Sequence, residues 1–168
     1  MFNITAGVNE NDTALRQMQQ VLNELAQTQV LVGIPEDKAA RKDGHISNAA
    51  LMYIHSNGSP INGIPARPII EPALEHDKER IGQIMGQATK AAFAGDTATM
   101  AQQLNRAGME GQNAAKEWFT NPANNWPPVS PGRQEYKASR GTTVERPLID
   151  TGKLQGSITY VVRKTGGG

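Results

Sequence analysis

The sequence predicts an α+β fold in which a small, mainly antiparallel sheet packs with helices and long loops extend from the packed elements. Short apolar, β-branched runs typical of strands lie towards both ends of the chain, at residues 29–35 and 157–163. Between these runs, apolar residues recur at spacings of three and four, which is the period of one helix face. Strands and helices are therefore segregated along the chain, and this order favours an α+β domain.

The N-terminal part of the chain predicts a strand, a helix and a second strand. Apolar residues alternate loosely over residues 1–8, which favours a strand. Asp12 and Thr13 are suitable N-cap residues for a helix over about 13–27. One stripe of that helix is apolar and consists of Leu15, Met18, Leu22 and Leu25. The apolar run over 29–35 then predicts the second strand.

A charged segment and a short helix follow. Acidic and basic side chains are mixed over residues 36–44, and we expect a solvated loop that is mobile over about 36–46. Apolar spacing indicates a helix over 47–55. We expect Asn57 and Gly58 to end it, because glycine adopts the left-handed C-cap conformation without a steric penalty.

Four prolines punctuate the next segment, namely Pro60, Pro65, Pro68 and Pro72. Proline fixes φ and biases the preceding residue towards extended geometry, so residues 61–67 are predicted to be extended. Pro68 suits the first position of a helix. The apolar stripe of that helix continues to about Ala94 and is interrupted at Asp77.

The following helix is predicted over about 97–118, with Asp96 or Thr97 as its N-cap. Small residues dominate its middle, namely Ala107, Gly108, Gly111, Ala114 and Ala115. Glycine costs about 1 kcal/mol relative to alanine in an exposed helix. We therefore expect a neighbouring backbone to approach closely here, from this chain or from another subunit.

The C-terminal part predicts irregular structure and then one strand. Residues 120–147 are rich in proline and glycine, which predicts a long mobile loop. The β-branched run over 157–163 predicts the last strand, and residues 165–168 a frayed tail. The whole chain of 168 residues is predicted to form a single domain.

Composition excludes several classes of protein. The chain has 17 basic and 16 acidic residues and a net charge of +1, which gives no electrostatic case for wrapping nucleic acid. It has no cysteine, which excludes disulfides, thiolate catalysis and cysteine-ligated metals. Residues 1–10 lack the pattern of a secretory signal, and no apolar run approaches the roughly 18 residues that span a membrane.

The sequence Asp150-Thr151-Gly152, after Leu148-Ile149, resembles the active-site turn of retroviral-type aspartic peptidases. That chemistry needs two carboxylates that share a proton, so a homodimer would have to supply the second aspartate. Peptidases of this kind are nearly all β, whereas long helical patterns precede Asp150 in this chain. The favoured interpretation is structural. Asp150 or Thr151 caps a helical turn that contains Lys153 and Leu154, or the three residues make a turn before a strand.

Other candidate chemistry is weak. His45, His55 and His76 have no metal-ligand spacing, Ser130 and Ser157 lack a nucleophile motif, and no phosphate-binding loop is present, so no metal, cofactor or catalytic residue is predicted. Basic and aromatic residues of the long loop could contact DNA by charge and stacking, although Glu135 and Glu145 dilute that charge. These residues are Arg133, Lys137, Arg140, Arg146, Tyr136 and Trp126.

Two blocks of the sequence together resemble a family of phage proteins. The C-terminal block consists of Trp126-Pro127-Pro128-Val129-Ser130, Lys137, Pro147-Leu148-Ile149-Asp150-Thr151-Gly152-Lys153-Leu154 and Ser157-Ile158. The middle block consists of Asn48-Ala49-Ala50, Tyr53-Ile54-His55, Gly58, Ile64-Pro65-Ala66-Arg67-Pro68-Ile69-Ile70 and Pro72-Ala73. In this order and at this separation, they resemble the phage virion-morphogenesis proteins, which include tail-completion and head–tail joining neck proteins.

The resemblance implies a structural protein that catalyses no reaction. Such a protein is made in the host cytoplasm and enters the virion, where it forms a ring between the connector or portal side and the tail. Six- or twelve-fold symmetry would match those neighbours. The alternatives are a dimeric aspartic peptidase using Asp150 and a protein that contacts genomic DNA in the connector channel.

On this interpretation, residues fall into two groups. We expect interface roles for residues 36–44 and for the set Trp126, Arg133, Tyr136 and Lys137, with a local packing role for Trp126 equally open. We expect Arg67 to fix the extended segment Pro65–Pro68 through a carboxylate. We expect Asp150 to hold the turn before the last strand.

Overall fold

The computed structural model describes residues 10–40, 46–141, 146–149 and 152–165, without the side chains of residues 10, 11, 38 and 39. The predicted strand over 1–8 lies outside the described residues. So do His45, Asp150 and Thr151, together with the predicted roles of Asp150.

The α+β class predicted from the sequence is confirmed. A two-stranded antiparallel sheet, formed by the first and last described strands, accompanies a mainly helical chain. The elements in chain order are α1 (Glu10–Ala26), β1 (Thr28–Gly33), α2 (Glu36–Ala39), α3 (Asn48–Asn57), α4 (Ile70–His76), α5 (Lys78–Phe93), α6 (Thr97–Glu117), α7 (Pro131–Ser139), α8 (Lys153–Ser157) and β2 (Thr159–Lys164).

The packing divides the chain into two compact units, whereas the sequence predicts a single domain. Unit 1 comprises residues 1–30, 79–107 and 162–168, and unit 2 comprises residues 31–78 and 108–161. Both strands and α6 contribute residues to each unit. Each unit has its own cluster of buried apolar side chains.

Unit 1 packs the middle of α1 against α5 and the first half of α6. Its buried side chains are Val21, Ala88, Ala91, Ala92, Met100 and Leu104. The predicted apolar stripe of α1 is only partly right, because Leu22 and Leu25 pack against this cluster whereas Leu15 is 56% exposed. The helix also begins at Glu10, so Asp12 and Thr13 lie within it and do not cap it.

The turn between α5 and α6 is determined by local conformational and capping preferences that the sequence already indicates. Gly95 has a φ of 71°, a left-handed conformation that favours glycine. The Gln17 amide donates a hydrogen bond of 3.1 Å to the Gly95 carbonyl. Asp96 caps α6 as predicted, because its carboxylate accepts a hydrogen bond of 2.9 Å from the backbone N–H of Thr99.

Unit 2 is built around α4, the end of α6 and α8. Its buried side chains are Ile69, Ala73, Ala115, Trp118, Phe119, Leu154 and Ile158. The helix α8 contains Lys153 and Leu154 and follows Gly152, whose φ is 71°. The predicted helical turn that contains Lys153 and Leu154 is therefore present, but its N-cap position is occupied by Gly152 and not by Asp150 or Thr151.

Three predicted segments of unit 2 are wrong in detail. The predicted loop over 120–147 contains α7, because Pro131 occupies the first helical turn, where its missing N–H is harmless and its φ suits a helix. The predicted loop over 36–46 begins with α2. The helix predicted to start at Pro68 starts at Ile70, and a 3-10 turn over residues 60–62 overlaps the start of the segment 61–67 that was predicted to be extended.

The surroundings of Gly108 show which neighbour approaches the small residues in the middle of α6. An added Cβ there would overlap the ring of Tyr160, so the neighbour is the aromatic ring of a residue in β2 and not a backbone. Gly86 in α5 is also inside a helix, but nothing lies within 4 Å of its added Cβ. The two glycines therefore form a matched pair that separates crowding from helix propensity.

We expect Gly108→Ala to be less stable than Gly86→Ala by about 1–3 kcal/mol, because the Tyr160 ring must move to admit the methyl group. Gly86→Ala should itself gain about 0.5–1 kcal/mol from helix propensity. Chemical denaturation followed by far-UV circular dichroism measures both variants. Equal stabilities would show that the Tyr160 ring relaxes without cost.

Candidate functional site

A tight turn after α3 positions the middle block of the resemblance. Gly58 has a φ of 74°, and an added Cβ would lie 2.8 Å from the backbone nitrogen of Ala66. The backbone N–H of Arg67 donates a hydrogen bond of 2.7 Å to the carbonyl of His55. The chain therefore doubles back on α3, and Arg67 is held beside the end of that helix.

The Arg67 side chain links the two blocks of the resemblance. Its Nη2 donates hydrogen bonds to the carbonyls of Pro127 at 2.8 Å and Pro128 at 3.2 Å, and its Nε lies 3.3 Å from the Pro127 carbonyl. Arg67 is only 8% exposed. The structural role expected for Arg67 agrees with this position, but the predicted carboxylate partner is wrong, because the described acceptors are backbone carbonyls 60 and 61 residues away.

Trp126 is a packing anchor inside unit 2, the local role that the sequence leaves open. Its indole Nε1 donates a hydrogen bond of 3.2 Å to the carbonyl of Pro68. Its ring meets Phe119 edge to face, with ring centroids 5.7 Å apart. The half-buried Trp126 therefore joins the two blocks a second time, next to Arg67.

Lys137 is buried, and this corrects the surface position that its predicted interface role requires. The residue is 3% exposed. Its ammonium donates hydrogen bonds to the carbonyls of Arg146 at 2.7 Å and Ile149 at 2.8 Å. A buried ammonium needs such acceptors, because an unpaired charge in the interior is costly. Lys137 therefore holds the 146–149 segment against α7.

Arg133 and Tyr136, predicted as interface residues, are exposed on α7 and stack with a third residue. The guanidinium carbons of Arg133 and Arg140 lie 4.6 Å and 5.5 Å from the centroid of the Tyr136 ring. Arg140 Nη1 also donates a hydrogen bond of 2.6 Å to the Tyr136 hydroxyl. The interface roles of Arg133 and Tyr136 stay predictions, and their positions on the surface are compatible with them.

Arg67, Lys137 and the stacked residues Arg133, Tyr136 and Arg140 line a cavity of about 870 Å³ in unit 2, which we name the basic cavity. Its charged lining residues, among those the structure describes, are all basic, namely Arg67, Arg133, Lys137, Arg140 and Lys153, with His55 beside them. Apolar walls are contributed by Leu51, Ile64, Val129, Leu148, Ile149 and Leu154. A concave site of this size with a few convergent polar groups is typical of ligand-binding cavities.

Sequence reasoning did not single out this cavity, nor His55 and Lys153 as parts of it. The one local signal was the spacing of Arg133, Lys137 and Arg140, which places them near one another on a helix. This helical spacing was not recognised, because the segment was predicted to be a loop. The contributions of α3 and α8 depend on long-range packing.

The positive charge of the basic cavity affects the pKa of His55. Burial lowers its pKa from the ordinary value, and the neighbouring guanidinium charges of Arg67 and Arg133 lower it further. Its Nδ1 atom is buried and has no hydrogen-bond partner among the described residues, so a proton there would gain no described acceptor.

The stability of the protein should therefore fall as the pH falls below about 6.5, the ordinary pKa of an unfolded histidine. In that range the unfolded state binds the His55 proton more strongly than the folded state does, so acidification favours unfolding. We expect His55→Gln to flatten this dependence between pH 7 and pH 5. Thermal melts at several pH values measure it, and His76→Gln is the control. Identical slopes in the wild-type protein and His55→Gln would contradict the assignment.

Three other kinds of site concern a peptidase, a metal ion and a membrane. Asp150 lies outside the described residues, so the peptidase hypothesis stays a prediction from the sequence. Within the described residues, no three His, Cys, Asp or Glu side chains converge as ligands of a metal ion. No helix in the described parts of the chain combines the length and apolarity that crossing a bilayer requires.

Comparison with known proteins found no match of this chain to a family model, to a curated protein or to a solved structure.

Proposed function

We propose that this chain is a structural protein of a phage particle that works at the head–tail junction, as a neck or tail-completion protein. The observation that supports this most directly is the hydrogen bonding of Arg67 to Pro127 and Pro128. It shows that the two blocks of the resemblance, which are distant in sequence, form one structural unit.

Three polar side chains of these blocks serve the fold. Arg67 and Lys137 donate to backbone carbonyls, and the Trp126 indole donates to Pro68. A catalytic motif would instead direct its polar side chains towards a position for a reacting atom. These three residues therefore support a protein that presents a shaped surface, and we propose no catalytic step for it.

The proposed assembly is a ring of identical subunits that joins the connector to the tail. Repeated head-to-tail contacts close into a ring when the rotation between neighbours permits it. Six- or twelve-fold symmetry is part of the proposal through the family resemblance. The exposed stack of Arg133 and Tyr136 on α7 with Arg140 at its C-cap offers a surface of aromatic and arginine residues, which are enriched at protein interfaces.

The test uses the purified full-length chain and phage particles. Sedimentation velocity and negative-stain electron microscopy should show a closed ring, alone or after mixing with connector and tail proteins. Antibodies against the chain should label particles at the neck. A protein that stays monomeric under all these conditions and is absent from particles would refute the proposal.

A further inference from the structure

We propose that Asn62 is a site of spontaneous deamidation and that the fold protects Asn57 from the same reaction. The chain has two Asn-Gly pairs, Asn57-Gly58 and Asn62-Gly63, and both lie in unit 2. The reaction needs only this chain and water, so it does not depend on the proposed function.

The chemistry of deamidation depends on the residue that follows the asparagine. The backbone nitrogen of Gly63 loses its proton to solvent and attacks Cγ of Asn62, and a bond forms between these two atoms. The bond from Cγ to Nδ2 breaks, ammonia leaves and a cyclic succinimide remains. Water then opens the ring at either carbonyl and gives an aspartyl or an isoaspartyl residue, so an amide and a water become a carboxylate and an ammonium ion. Glycine favours the attack because it has no side chain to obstruct its nitrogen.

Neither the asparagine side chains nor the glycine conformations distinguish the two pairs. Asn57 and Asn62 are both exposed. The side-chain amide donates a hydrogen bond of 2.9 Å in Asn57 and 2.8 Å in Asn62. Gly58 and Gly63 are both left-handed, with φ values of 74° and 63°. The surroundings of the two glycine nitrogens are therefore what separates the pairs.

The nitrogen of Gly58 is held in a crowded position at the end of α3. Its N–H donates a hydrogen bond of 2.7 Å to the carbonyl of Ile54. An added Cβ on Gly58 would lie 2.8 Å from the backbone nitrogen of Ala66 and 2.9 Å from the carbonyl oxygen of Ile64. The attack requires the peptide between Asn57 and Gly58 to rotate, and these backbone atoms obstruct that rotation.

The nitrogen of Gly63 is less constrained. Its N–H donates a hydrogen bond of 3.1 Å to the carbonyl of Pro60, at the end of a 3-10 turn of three residues. Gly63 is exposed, and no described atom beyond its chain neighbours lies within 4 Å of an added Cβ. Short exposed turns open locally at a small cost, so this nitrogen becomes available for attack on Asn62.

The isoaspartyl product would alter the turn itself. It routes the backbone through Cγ and so lengthens a segment that is closed by backbone hydrogen bonds of 2.8 Å and 3.0 Å between Ser59 and Ile64. The aspartyl product keeps the backbone and only replaces an amide with a carboxylate. We therefore expect faster hydrogen exchange at the amides of Ser59 and Ile64 in the isoaspartyl form alone.

The experiment incubates the full-length protein at mildly alkaline pH and digests samples with pepsin in acid, where the reaction is slow. Tandem mass spectrometry locates the mass gain that accompanies conversion of the amide to an acid. Backbone fragmentation at Pro60, which lies between the two asparagines, assigns the gain to Asn57 or Asn62. We expect Asn62 to react at least about tenfold faster than Asn57 in the folded protein, because the exposed turn opens more readily than the end of α3.

Two controls separate the effect of the fold from that of the local sequence. In concentrated urea both pairs are unfolded, and we expect their rates to approach each other. Asn62→Gln should prevent most of the accumulation of acidic forms of the folded protein in isoelectric focusing, since glutamine would have to close a larger ring. Asn57→Gln changes the other asparagine of the matched pair and should leave that accumulation unchanged. Circular dichroism shows that both variants are folded.

Equal rates at the two asparagines of the folded protein, or a faster reaction at Asn57, would overturn the proposal. So would the same ratio of rates in urea, because the difference would then come from local sequence and not from the fold. A third contrary result is an Asn62 that reacts in urea but not in the folded protein.

Discussion

Replacing Arg67 with methionine should lower the free energy of unfolding of unit 2 by about 2–4 kcal/mol. Methionine fills much of the same volume but cannot donate hydrogen bonds, so the carbonyls of Pro127 and Pro128 lose the donor that joins them. Hydrogen bonds from a charged donor contribute about 1.5–3 kcal/mol each, and this donor spans 60 residues of sequence. The loss should therefore separate the two blocks that together form the basic cavity.

The measurement is urea denaturation followed by tryptophan fluorescence. Both tryptophans of the chain, Trp118 and Trp126, belong to unit 2, so the signal reports this unit. Arg106→Met is the control, and an exposed substitution of this kind should change stability by less than about 0.5 kcal/mol. Arg67→Lys should be intermediate, because an ammonium lacks the planar fork of a guanidinium. Stability of Arg67→Met within 0.5 kcal/mol of the wild-type protein would refute the structural role.

Lys137→Met should have an effect of similar size, with a loss of about 2–4 kcal/mol. The substitution keeps the apolar stem of the side chain but leaves the carbonyls of Arg146 and Ile149 without their ammonium donor. Leu148 and Ile149, which pack against the core of unit 2, would lose their anchor to α7. The variant should therefore weaken the core as well as the hydrogen bonding.

The same tryptophan signal measures this variant, and Lys78→Met serves as its control. Lys78 is also in unit 2, but its side chain is 63% exposed and pairs only with the equally exposed Glu75 among the contacts the structure describes. Exposed ion pairs contribute little, so this control should stay within about 1 kcal/mol of the wild-type protein. Equal effects of the two lysine substitutions would show that burial of Lys137 contributes nothing.

The helical part of the fold was predictable because its signals are local. The period of the apolar residues in α5 and α6 depends on the geometry of one helix, and the break at Gly95 and the cap at Asp96 depend on neighbouring residues. The segment that contains α7 was misjudged for a local reason too. Its prolines suggested a loop, whereas Pro131 starts a helix because proline is well tolerated in the first turn.

The candidate site was predictable only in part. The blocks of the resemblance identified Arg67, Trp126 and Lys137 as important positions, and all three make long-range or buried contacts in unit 2. The structural roles of these three residues were harder to predict from the sequence. Lysine is usually exposed, so nothing in the sequence indicated that Lys137 is buried. The basic cavity was not predictable, because its wall combines residues from α3, α7 and α8.

The amino-acid sequence alone determined the fold class, the periods of the main helices and the turns that end them, since each of these follows from interactions over a few residues. Tertiary structure alone decided which acceptor each buried donor meets. Arg67 bonds to Pro127 and Pro128 because those carbonyls are brought beside it by packing around Phe119 and Trp126. A donor's partner is the acceptor that the completed fold places within about 3 Å, and local sequence does not encode that distance.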